Sequence, residues 1–131
     1  MDSRAGAAVD GVRRAGRRGE AGLLFFIAFR QHVLVVPKAP SRNLLDADPA
    51  VLAKLLPAVQ RIARAVKTAF AADGVSVFQY NEAAGGQSVF HLHFHVVPRH
   101  EGVPLKPHSG QMEDGQVLAA NAEKVRAALA A

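Results

Sequence analysis

The 131-residue chain has no cysteine, which excludes a disulfide framework, thiolate chemistry and any zinc site built on sulfur, and makes a reducing cytoplasm the expected compartment. It also lacks a long apolar run. Leu23 to Phe29 follows Arg17 and Arg18 much as a secretory signal would, but it falls far short of the roughly 20 apolar residues of a membrane span, and no small-residue cleavage site follows it. It is expected to be a buried strand, with no membrane association. The net charge is +5, and five of the sixteen basic residues lie in the first twenty positions. The rest of the chain is therefore only mildly basic, with no Arg/Lys cluster interleaved with aromatics, so no nucleic-acid partner is expected. Internal repeats are absent too.

Residues 1–20 are Ala, Gly and Arg in no periodic order and read as a disordered tail, which leaves residues 21–131 as one domain. Val33 to Val36, ending at Pro37, has the form of an interior strand. Asp48-Pro49 is a helix start, with Asp as the cap and Pro in the first turn. The apolar set Val51, Leu52, Leu55, Val59, Ile62, Val66 and Phe70 then predicts a helix to about Ala72, bent at Pro57 and closed by Asp73-Gly74. Val75 to Tyr80 alternates as a strand does, and residues 75 to 97 are expected to form a hairpin around the turn Asn81 to Gln87. The stretch Arg99 to Gly110 is expected to be irregular. Val117, Leu118, Ala122, Val125 and Leu129 mark a final helix.

The hairpin carries the chemistry. His91, His93 and His95 stand at every second position, separated by apolar residues. A strand here would place all three imidazoles on one face, about 7 Å apart, with Phe90, Leu92, Phe94 and Val96 on the other. Such a row can supply an uncharged nucleophile, a proton donor and an orienting partner, with the central His93 as the natural nucleophile. The turn before it, with Gly85-Gly86, offers unobstructed backbone N–H groups, and Gln87, Ser88 and Asn81 add side-chain donors, as a phosphoryl centre requires. A metal site is the competing reading, since imidazole is a common zinc ligand and Glu82, Glu101, His32 or His100 could complete a set.

These residues resemble the histidine triad family, whose His-x-His-x-His signature followed by two apolar residues corresponds here to His91–Val97. His32 to Lys38 is similar to the family's upstream histidine strand, and Asn81-Glu82 through Gly85-Gly86-Gln87-Ser88 to its phosphate loop; Pro98-Arg99 and the final helix look like bacterial members. The resemblance implies an α+β fold, an antiparallel sheet of about five strands with two helices, pairing into a homodimer with a continuous sheet. It also implies a hydrolase that cleaves at the α-phosphate of nucleoside phosphoramidates or adenylates through a nucleotidyl-histidine. In that scheme His93 attacks, His95 contacts the phosphate or leaving group, and His91 with His32 orients the nucleophile. Asn81, Gly86, Gln87 and Ser88 hold the phosphate. The implied substrate is a purine nucleotide or nucleoside phosphoramidate, with AMP as product and no metal or other cofactor. A dinucleoside polyphosphate hydrolase, or a nucleotide-binding module with little turnover, is the alternative. The resemblance stops before residue 31: Phe29-Arg30-Gln31 replaces the family's ribose-gripping acid and Pro-containing turn.

Overall fold

A computed structural model describes residues 22–104 and 115–131. The expected tail, residues 1–20, lies outside them, as does half of the expected irregular stretch, residues 105–110, including His108. The elements run β1 (Leu23–Phe29), β2 (His32–Pro37), α1 (Pro49–Ala69), β3 (Gly74–Phe78), a short 3-10 turn at Ala83–Gly85, β4 (Phe94–Arg99) and α2 (Gly115–Ala130). Among the described residues the sheet has four antiparallel strands in the order β1-β2-β4-β3, one fewer than expected. The fold is α+β, with both helices packed against the sheet. No described helix is long and apolar enough to cross a membrane.

The core follows from the periodicity of the chain. Leu55, Ala58, Val59, Ile62, Ala65 and Val66 form the buried stripe of α1, and they meet Val33, Val35 and Val96 from the sheet and Val125 from α2 in one cluster. Asp48 caps α1 by accepting the Ala50 N–H at 2.8 Å, as the Asp-Pro pair predicts. The helix continues through Pro57. Pro57 is exposed, and so is Ala53, whose carbonyl it leaves without a helical donor, so water can supply that bond at little cost. The helix stops earlier than Asp73-Gly74. Ala71 takes the left-handed conformation with φ 47°, and the Ala72 N–H returns to the Lys67 carbonyl at 2.9 Å, the pattern that closes many helices. Asp73 instead opens the hairpin, its N–H donating to the Arg99 carbonyl.

The histidine segment departs from a continuous strand. The ladder of β4 begins only at Phe94, because the Leu92 N–H is taken at 3.0 Å by the Ser41 carbonyl in a loop outside the sheet. Only His95 therefore belongs to a regular strand. Phe90 does not face the core: it is exposed, with the Arg42 guanidinium 4.2 Å above its ring.

Candidate active site

Pairing fixes which side chains share the face opposite the helices. His95 lies across from Leu34 on β2 and Phe78 on β3, and directly opposed residues point to the same side. His32, two positions before Leu34, joins them: its Nε2 is 2.7 Å from His95 Nδ1. Phe78 stacks on His95 with ring centroids 4.5 Å apart and 13° between planes. Burial, then the neighbouring charges that His93 and His32 would carry, push the His95 imidazole down to about 3, so it is neutral at physiological pH.

His93 and His91 reach the same place from the extended segment before β4. The His93 ring lies 4.8 Å from that of His95, nearly edge-on. Its Nδ1 is 2.7 Å from the His91 carbonyl. A carbonyl only accepts, so Nδ1 carries the hydrogen, and in the neutral ring the lone pair is then on Nε2. The His91 Nε2–H in turn donates to the Pro37 carbonyl at 2.7 Å, which pins the peptide that holds His93. The structure thus brings the rings of His32, His93 and His95 together, with the His91 backbone carbonyl fastening the central ring.

The loop from Asn81 to Ser88 runs from Tyr80, whose ring centroid is 5.8 Å from that of His95, to the histidine segment. Gln87 is buried. Its Nε2 donates to the Arg42 carbonyl at 2.7 Å and the Val89 carbonyl at 3.0 Å, and its Oε1 accepts from Glu82 N–H and Asn43 Nδ2. Both amide hydrogens are engaged within the loop and its neighbours. The Gly85, Gly86 and Gln87 N–H groups are likewise turned inward, to the carbonyls of Glu82, Ala83 and Glu82. Gly86 has φ 102°, a conformation that favours glycine, and a Cβ there would also crowd the Tyr80 ring at 3.3 Å. Asn81 ties the loop to its surroundings: Oδ1 accepts from Leu44 N–H and Gln79 Nε2, while Nδ2 donates to Gln79 Oε1. Ser88 is exposed.

Elsewhere, Arg99 bonds Ser76 within the hairpin and His100 donates to the Phe70 carbonyl, so neither joins the histidines. Glu82 is paired bidentately with Arg42. Among the described residues no three His, Asp or Glu side chains are grouped so as to hold a metal ion.

A family profile described as HIT domain matches residues 28–102, more than half of the chain and the whole of the site just described. The chain belongs to the HIT family. A HIT-like protein of Bartonella henselae, solved with an unknown ligand and described as involved in cell-cycle regulation, superposes with a TM-score of 0.77 at 46% identity, covering 84% of this chain and 82% of that one. An Arabidopsis thaliana relative named adenylylsulfatase HINT3 is 36% identical over 70 residues, 53% of this chain and 36% of that protein. The Saccharomyces cerevisiae adenosine 5'-monophosphoramidase HNT1 is 33% identical over 70 residues, 53% and 42% of the two chains. Curated relatives of higher identity are uncharacterized, and the chain spans about half of their length. Sequence reading missed three members of this HIT site: Asn43, whose partners lie far along the chain, and Phe78 and Tyr80. The two aromatics did carry a signal, since they alternate at the end of β3, where Phe78 pairs with His95, and just beyond it.

Proposed function

We propose that this HIT protein hydrolyses nucleoside phosphoramidates or adenylates at the α-phosphate through a covalent nucleotidyl-His93. The observation that carries the reading is the His93 tautomer: Nδ1–H is committed to the His91 carbonyl, so the lone pair of Nε2 is available without a separate base. Nε2 forms a bond to phosphorus, and the P–N or P–O bond to the leaving group breaks with its electron pair passing to that group, which takes up a proton. Water then attacks phosphorus, releases the mononucleotide and restores the imidazole.

His95 serves the phosphate or leaving group as a neutral ring, with His32 fixing its orientation through the 2.7 Å contact. His91 positions His93. Ser88, exposed and three residues before His91 in the chain, supplies donors to the phosphate. Names of relatives support this substrate class: adenylyl sulfate is an adenylate, and a monophosphoramidase cleaves a P–N bond at the same phosphorus. A homodimer with a continuous sheet, a cytoplasmic location and no metal requirement complete the proposal.

The test is to quench the protein during turnover of adenosine 5'-phosphoramidate and map added AMP by mass spectrometry. The adduct is expected on His93, and His93→Ala is expected to lower turnover by at least about 10⁴ because the nucleophile is removed. Near-normal turnover in that variant would refute the assignment. Parallel assays with a dinucleoside polyphosphate decide between the two hydrolase branches, and tight AMP binding without turnover of either would instead point to a binding module.

A further inference from the structure

Glu82 occupies a backbone conformation, φ 67° and ψ 162°, that is essentially reserved for glycine and is strained for any residue with a side chain. Its carboxylate accounts for how it stays there. Arg42 Nε donates to Oε2 at 2.9 Å and Nη2 to Oε1 at 3.0 Å, while Asn43 Nδ2 reaches Oε2 at 2.5 Å. Asn43 is only 1% exposed and is the hub of the arrangement. The same Nδ2 donates to Gln87 Oε1 at 3.0 Å, Oδ1 accepts the Leu45 N–H, and the backbone N–H of Asn43 goes to Asp46. Gln87 closes the ring by accepting the Glu82 N–H.

This network joins two loops that are remote in sequence, one following β2 and the other preceding β4. Its last fastened residue, Gln87, is bonded to Ser88, and the histidine segment begins three residues further on. With the amides of Gly85, Gly86 and Gln87 turned inward, the next donors along the chain that can meet a phosphate at this end of the loop are those of Ser88, which is exposed. Where Ser88 sits is therefore decided by how firmly Gln87 is held.

We propose that Asn43 and Glu82 are positioning residues for the phosphate-binding end of the loop, acting through Gln87 to hold Ser88 in register with His93. The inference rests on the α-phosphate reading above. A preorganised donor is worth most where charge develops in the transition state, and a displacement of about 1 Å can cost on the order of 10² in rate. Loss of the clamp should therefore fall on kcat more than on KM.

Asn43→Asp keeps the size of the side chain but replaces the shared donor with a carboxylate facing Glu82 and Gln87. Glu82→Gly removes the anchor while relieving the backbone, so it should remain folded. Each is expected to lower kcat about 10²-fold, per site titrated as nucleotidyl-His93, with KM changed by less than about threefold, and the double variant to lose little more than either alone. Amide exchange at Gly85, Gly86 and Gln87 should quicken at least tenfold in Asn43→Asp. Unchanged exchange overturns the clamp whatever the activity. Faster exchange with unchanged kcat per titrated site, or fully additive losses, overturns the positioning role. A wild-type protein that forms no adduct overturns the α-phosphate reading, and with it the catalytic role of the clamp, while the exchange experiment still reports on the fastening.

Discussion

His95 is confined by Phe78 stacked on its ring, Tyr80 at a centroid distance of 5.8 Å and two other imidazoles. It resists protonation in the folded protein down to about pH 3, whereas in the unfolded chain it titrates near the usual value of about 6.5. Between those limits the unfolded state binds a proton that the folded state refuses. Stability must therefore fall as the pH is lowered from about 6.5 and be level in this respect above it. The window from pH 6.5 to 4.5 isolates this residue from the carboxylates. Glu82, held down by Arg42 and Asn43, and Asp46, held down by the Asn43 and Arg42 backbone N–H groups, lose their contribution only at more acid pH. His95→Gln should accordingly flatten the dependence of the denaturation midpoint on pH across that window. Equal slopes in the two proteins would show that the ring is not shielded as its surroundings imply.

At the level of elements, α1 is legible because its buried positions, Leu55, Ala58 with Val59, Ile62, and Ala65 with Val66, return once per helical turn and nothing distant is needed to define the stripe. Its cap was equally legible, and the consequence can be measured. Asp48→Ala removes the acceptor for the Ala50 N–H and should cost about 0.5–2 kcal/mol in chemical denaturation. A loss below this range would mean that water or a neighbouring group replaces the cap. The helix end was less legible, since Ala71 in a left-handed conformation has no signature comparable to that of glycine. The segment before β4 was misread for a different reason. Alternation from Phe90 to Val96 fits a strand, but the Leu92 N–H is claimed by Ser41, a partner that local pattern does not reveal. The same limit applies to the site. The histidines and glycines declare themselves by spacing, whereas the inward commitment of Gln87 depends on Asn43, which lies in another loop.

For the molecule as a whole, the decisive property is that the described residues share one core. Leu55 of α1 has no exposed surface and belongs to a cluster that draws on β1, β2, β4 and both helices. The sheet face that carries His32, His95 and Phe78 is the reverse of the one this cluster covers, so the site depends on core packing for its rigidity without contributing to it. Leu55→Ala removes buried methyl groups and leaves a space that close-packed neighbours only partly fill, at a cost of about 2–5 kcal/mol. Against a total stability of about 5–15 kcal/mol for a domain, that is a large fraction. Because helices and sheet meet in the same cluster, the loss should not be confined to α1. Helical circular dichroism and the fluorescence of Tyr80 on the opposite face should shift to lower denaturant together, as one transition. If the helical signal moved while Tyr80 kept its wild-type midpoint, the sheet would hold its form without α1, and the histidine face would owe its geometry to strand pairing alone.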